Sequence, residues 1–244
     1  MGIIIFGCTQ DSEQTKENNK IPTALLDAEL TGERLINDLE TIYALKLKDQ
    51  TKNNTEKKNK GEQGKEEQDK GKTADPSQKI WQDVEDKIEK LHHNWNKYES
   101  KSSLTEQNLQ LVEQKLNQLT EAAYQKKLLL SLLNINQFNL QLAKIHDIYD
   151  TTKSQIKKSK GYVRSIIYLA WLKAEEEEML VNLDDLEATM VSLQEKKGGK
   201  QIINELRTAV SDLKRAVQNS NQQVIEIKGQ LILDKLDSLE TETN

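Results

Sequence analysis

Histidines, a run of glutamates, an arginine set among apolar residues and two tryptophans are the residues of this chain that invite a chemical reading. His92 and His93 are neighbours. On a helix they point in different directions, so the pair is poorly placed to grip one metal ion. His146 is the only other histidine, and all three are expected to be structural or solvent-facing. Glu175 to Glu178 offer the oxygen ligands that hard cations take. Consecutive positions fan around a helix, however, and no loop supplies the remaining ligands, so a solvated face is the expectation. Trp81 and Trp95 could cradle an aromatic ligand, but they recur at helical spacing and read as packing residues. Arg164, inside an apolar run, should snorkel, pair with an acid such as Asp150, or hold an anion. No nucleophile with a base and no acid–base pair is visible, so no catalytic residue, metal or cofactor is expected.

Cys8 is the one residue for which a specific reaction can be argued. It is the only cysteine, which excludes an intramolecular disulfide. Ile5-Phe6-Gly7-Cys8 resembles a bacterial lipobox, with an aliphatic residue three before the cysteine and a small one directly before it. That pattern permits diacylglycerol transfer to the thiol and cleavage in front of it, which makes Cys8 the expected lipid attachment. The apolar stretch before it is shorter than a signal peptide needs, and no basic region precedes it. A start site placed too far downstream accounts for both. Asp11 to Lys20 is polar throughout, as suits a tether between a lipidated cysteine and a folded domain. The other reading of Cys8 is an ordinary free thiol in a short N-terminal segment.

The elements behind these residues are helices. Tyr124, Leu128, Ser131, Ile135, Phe138, Leu142, Ile145 and Tyr149 alternate in steps of four and three, one helical face turned to a partner. Leu129, Leu133, Leu140 and Ala143 add a second stripe, which places residues 124–149 at the centre of a bundle. Asn136 falls on that second stripe, either partly solvated or buried as a register-setting amide. Pro22 opens a first helix over residues 23–48, where Gly32 lets another backbone approach closely. Asp75-Pro76 opens the next, with Trp81, Val84, Ile88, Leu91, Trp95 and Tyr98 on its seam. Ser103-Leu104-Thr105-Glu106 has the form of a capping box. The helix it begins carries Leu109, Val112, Leu116 and Leu119 on its seam, and either kinks or runs on into the central one. The segment from Tyr162 to Leu172 is apolar nearly all round and must be buried. Leu183, Leu186, Met190 and Leu193 resume the seam, and Lys196-Lys197-Gly198-Gly199 should end that helix. Last, Ile203, Leu206, Val210, Leu213, Val217, Ser220, Val224, Ile227 and Leu231 hold one spacing, which predicts a single helix approaching about 60 Å.

Composition supports this reading. With 35% hydrophobic and 31% charged residues and two prolines in 244, the chain suits long helices with narrow buried seams. The expected fold is all-α, an elongated antiparallel bundle with coiled-coil-like seams and a long C-terminal helix. Its parts are residues 1–22 as N-terminus and tether, 23–48 as first helix, 49–75 as a charged disordered linker and 76–240 as the bundle. The linker assignment rests on the lack of any large apolar residue in that stretch, which leaves nothing to offset the entropy of ordering it. A net charge of -5, from 35 basic and 40 acidic residues that interleave, gives no basic stripe for nucleic acid.

Together, Cys8, the polar lead after it, Asn94-Trp95-Asn96 within the Trp81 helix, and Tyr168-Leu169-Ala170 after Tyr149 resemble a loosely defined set of uncharacterised lipoproteins from Gram-positive bacteria. The resemblance implies a helical bundle held outside the cell by an N-terminal lipid, and no enzymatic residue. The expected function is an extracytoplasmic binding or scaffolding role, with the bilayer reached through Cys8 and an envelope protein as a candidate partner. The alternative is a cytosolic coiled-coil adaptor that self-associates through its last helix.

Overall fold

The computed structural model describes residues 20–59, 76–194 and 200–243. Among them the chain is all helix: α1 Thr23–Asn59, α2 Pro76–Glu99, α3 Glu106–Tyr124, α4 Leu128–His146, α5 Thr151–Leu172, α6 Glu176–Gln194, α7 Lys200–Gln218 and α8 Gln222–Thr243.

The helices close into two rings. α1 packs on α2, α2 on α3, α3 on α4, and α4 returns to α1; α5, α6, α7 and α8 close in the same cyclic order. The α4–α5 pair joins the rings. The buried apolar residues of both form one continuous core, with Trp95, Tyr168 and Phe138 the largest side chains fully inside it. Residue pairings across α1–α2 run in opposite senses, Thr31 with Asn94 and Asp38 with Lys87, as do those across α5–α8, Lys160 with Glu240 and Trp171 with Glu226. The α3–α4, α5–α6 and α7–α8 pairs are joined by tight turns, so each ring is an up-and-down four-helix bundle.

The apolar spacing selects the buried faces. Trp81, Val84, Ile88, Leu91, Trp95 and Tyr98 of α2 are all buried, as are Leu183, Leu186, Met190 and Leu193 of α6. On α4, Leu128, Ser131, Ile135, Phe138, Leu142 and Ile145 form the buried face. Tyr124 does not belong to that face. It ends α3 and is 53% exposed, because the chain reverses between the two helices. Residues 103–149 are therefore two helices.

That reversal is one of three built alike. Lys126 N–H donates to Ala123 and Lys127 N–H to Ala122; Lys173 and Ala174 repeat the pattern on Ala170 and Leu169, and Ser220 and Asn221 on Val217 and Ala216. This is the Schellman ending, whose pivotal residue takes left-handed backbone. Here Lys126, Lys173 and Ser220 have φ of 52°, 55° and 49° where glycine is usual.

The third reversal overturns the expected long C-terminal helix. The chain folds back at Asn219–Asn221, and α7 and α8 pack on each other as a hairpin. The basis for an about 60 Å helix is gone.

Other boundaries shift for local reasons. Thr105, not Ser103, caps α3 by accepting from Asn108 N–H. Asp150 caps α5 through Lys153 N–H, so the stretch from Lys157 to Gly161 is helical interior. α1 continues past Lys48 to Asn59, over residues that include neither glycine nor proline, and once begun a helix propagates through such residues at little cost. The rest of the expected linker, residues 60–75, lies outside the described residues, as do Asp75 and Lys196 to Gly199.

Candidate functional site

Most residues singled out from the sequence are separated by the fold. Cys8 lies outside the described residues. His92 sits half-buried, its Nε2 2.8 Å from Thr120 Oγ1, while His93 faces solvent. Glu175 to Glu178 are exposed at the start of α6. Among the described residues no three histidine, cysteine or acidic side chains are grouped as a metal site. Trp81 and Trp95 are core, 3% and 0% exposed.

Arg164 and Asn136 are brought to one place, and His146 is linked to it through Glu29. α4 lies between α1 on one side and α5 on the other, and glycines let both come close at adjacent α4 residues. A Cβ on Gly32 of α1 would sit 2.1 Å from Asn139 Oδ1, and one on Gly161 of α5 would sit 2.5 Å from Leu140 Cδ2. Asn136 uses the second approach. Its Nδ2 donates to the Gly161 carbonyl and to Ser165 Oγ, both at 2.8 Å, from a fully buried position. It is the buried amide, pinning α4 to α5.

Above α4 the backbones of α1 and α5 stay beyond packing distance, and long side chains bridge them. Glu29 reaches Lys157 at 2.5 Å and His146 Nε2 at 3.3 Å. Glu33 holds Arg164 at 2.9 Å, where Asp150 was the expected partner. Glu40 accepts from Tyr168 Oη at 2.7 Å, and Tyr43 stacks on Trp171 with centroids 4.1 Å apart. Partners rise in number together, so α1 and α5 run parallel. From α8, Asp237 and Glu240 both reach Lys160.

Part of this set borders a cleft of about 390 Å³, lined from α1 by Leu26, Glu29, Leu30 and Glu33, from α5 by Lys157, Lys160, Gly161 and Arg164, from α4 by Asn136, Asn139 and Leu140, and from α8 by Glu240. That volume lies in the range of small-molecule sites. Its walls carry both signs of charge, and Leu26 and Leu30, 41% and 51% exposed, make an apolar lip. Asn136 Oδ1 has no hydrogen-bond partner among the described residues.

The surroundings keep these groups ionised. Burial works to raise the Glu29 carboxyl, but the His146 contact and the Lys157 charge outweigh it and hold the group below its ordinary value. Burial works against the Lys160 ammonium, and Asp237 and Glu240 overcome it. For Arg164 the same contest is won by the Glu33 charge, with Glu40 adding to it. Tyr168 is pushed well up, first by burial and then by Glu40, so its hydroxyl keeps the proton it donates.

No protein-family model, curated protein or solved structure matches the chain. The chemistry of the cleft therefore stands on its own residues: opposed carboxylates and cations over the buried amides of Asn136 and Asn139, suited to holding a polar group of either sign.

Glu29, Glu33, Lys157 and Lys160 were not legible as a site. Their spacing was visible, acids four apart on α1 and cations at i, i+3 and i+7 on α5, beside each helix's apolar face. Which helix would meet which was not.

Proposed function

We propose that this chain is a lipid-anchored, extracytoplasmic helical-bundle protein with a binding or scaffolding role, tethered to the bilayer through Cys8 and facing a partner in the envelope. The observation that carries the reading is Ile5-Phe6-Gly7-Cys8 followed at once by a polar stretch. Two or three acyl chains on that cysteine, at about 0.8 kcal/mol per buried CH₂, hold a protein where one chain would not. Residues 11–21, if extended, reach up to about 40 Å, enough to stand the bundle off the headgroups. No helix among the described residues is long and apolar enough to cross a membrane. The cleft between α1 and α5 supports the binding half of the reading, since it offers a partner segment or small solute both charges and an apolar lip.

The test is expression from the native upstream region in a bacterial host, with Cys8→Ser alongside. The wild type is expected in the membrane fraction with a diacylglycerol mass on its mature N-terminus, and Cys8→Ser in the soluble fraction or unprocessed. Equal partitioning of both, with no lipid mass, would reject the anchor.

A further inference from the structure

The charges that line the cleft between α1 and α5 are already spent on one another. Glu29, Glu33 and Glu240 stand against Lys157, Arg164 and Lys160, and each acid meets its cation, at 2.5, 2.9 and 2.5 Å in that order. An ion entering the cleft would have to take one member of such a pair and leave the other without its countercharge in a partly buried place, which is the costly way to break an ion pair. A solute without net charge can bond to the same groups and leave every pair standing.

Hydrogen-bonding capacity is left over on both sides. The bonds that Arg164 makes among the described residues run through one guanidinium nitrogen, Nη1 to Glu33, so its other N–H groups are unspent. Lys157, with three donors, meets Glu29 alone among the described residues. On the α4 side, Asn136 Oδ1 and Asn139 Oδ1 accept nothing from the described residues, although Asn136 is fully buried. A ligand that answers both sides must donate and accept at several points around itself. Leu26 and Leu30 add a third requirement, because an apolar lip that is 41% and 51% exposed calls for a hydrocarbon face to cover it.

We propose that the cleft binds a neutral sugar, a pyranose alone or within a disaccharide. A sugar joins the three properties: it carries no charge, each hydroxyl both donates and accepts, and its C–H groups form an apolar face. Its hydroxyls accept from Arg164 and Lys157 and donate to the lone pairs that Glu29 and Glu33 keep beyond those given to their cations, bonds to charged groups being the stronger kind. Its C–H face lies against Leu26 and Leu30. The cleft volume of about 390 Å³ accommodates a ligand of this size. A zwitterion such as an amino acid is neutral only as a whole, and each of its ends would still contend with a pair. Sugar binding rests on the binding half of the function proposed above and not on the anchor, so it can fail with Cys8 acylated and hold with Cys8 free.

The experiment uses the full 244-residue chain with Cys8→Ser, isotope-labelled for nuclear magnetic resonance. It is titrated separately with glucose, galactose, N-acetylglucosamine, maltose and cellobiose, and with inorganic phosphate and glycine as the ionic and zwitterionic probes. Amide shifts read the site directly, which melting temperatures would not, since sugars stabilise folded proteins in general by exclusion from their surface. At least one sugar should saturate with a Kd of about 1 mM or tighter. It should move the backbone amides of residues 26–33 and 157–164 and the side-chain amides of Asn136 and Asn139. Affinity should change less than about twofold between about 50 mM and about 500 mM salt, because no charge is transferred. Arg164→Lys keeps a cation opposite Glu33 but removes the fork, and should weaken binding at least about tenfold. The double change Leu26→Ser, Leu30→Ser, at exposed positions, should weaken it at least about threefold. Saturation by none of these sugars up to about 50 mM overturns the proposal, as do shifts that spare the cleft. Phosphate or glycine binding more tightly than every sugar also overturns it and gives the cleft to an ion or a zwitterion. Should Arg164→Lys fail to fold, the leucine variant decides, and undiminished affinity there overturns the proposal.

Discussion

The strongest statements at the scale of single residues concern the close approaches to α4. Gly161 sits in a helix interior, where alanine would ordinarily stabilise by about 1 kcal/mol. Here its Cβ would meet Leu140 Cγ at 2.6 Å as well as Cδ2, and overpacking of that kind costs about 1–3 kcal/mol. Gly161→Ala should therefore lower the urea midpoint, and a raised midpoint would show that Leu140 simply moves aside. Leu142, fully buried on the α4 face, should cost about 2–5 kcal/mol on truncation to alanine. A change under half a kcal/mol in the same melt would remove α4 from the core. Glu29 sets the acid limb. Its folded pKa lies below the ordinary 4.5, so the stability it contributes is complete above that value and is lost as pH falls through the folded pKa. Glu29→Gln should flatten stability against pH below about 4.5 while costing about 1–3 kcal/mol at neutral pH, where His146 and Lys157 lose their partner. An unchanged acid slope would mean that the contacts of Glu29 do not persist in solution.

At the scale of elements, the turns decide the fold. Each ring closes only because helices reverse at Lys126, Lys173 and Ser220, none of which is the glycine the geometry prefers. Substituting glycine at Lys126 or Lys173 should stabilise by about 1 kcal/mol each, because the left-handed conformation then carries no Cβ penalty. Thermal melts would check this, and destabilisation at either site would show that the lysine side chain is needed there. Helix caps tell the same story on a smaller scale. Thr105 and Asp150 each accept from the third N–H of the helix they begin, and both types are common caps. Ser103 had equal chemical right to the first of these roles but lies exposed two residues too early.

Across the whole molecule, the two rings share one core and one ladder of polar contacts, which argues for a single cooperative unit. Trp81 and Trp95 report on the first ring, and Trp171, on α5 but stacked on Tyr43 of α1, on the second ring where it meets the first. Trp171→Phe and the double variant Trp81→Phe, Trp95→Phe should therefore show fluorescence midpoints in urea that coincide with the far-UV circular dichroism transition of each. Separate midpoints for the two variants would mean that the rings unfold independently and that the α1–α5 ladder couples them little. The ladder crosses between helices whose backbones do not pack, with Tyr168 and His146 fully buried and Glu29, Glu33, Lys157 and Arg164 lining the cleft.

The sequence by itself determined the class of fold and the faces of its helices. The reason is periodicity: Trp81 to Tyr98, Leu183 to Leu193 and Leu128 to Ile145 must each be buried on one side whatever the topology, since a three–four spacing of large apolar residues has one low-energy answer in water. It also made Asn136 a candidate for burial and Gly32 a point of close approach, because a polar residue on an apolar stripe and a glycine inside a helix each ask for a neighbour. Only the tertiary structure decided where the chain turns and which helices meet. Periodicity continues through Tyr124 and Ser220 as though nothing happened, and a left-handed Lys or Ser leaves no composition signal. Nor does spacing along one helix say which other helix will face it, so the pairing of Glu29 and Glu33 with Lys157 and Arg164, and the cleft they border, exist only once α1 and α5 are laid parallel across α4.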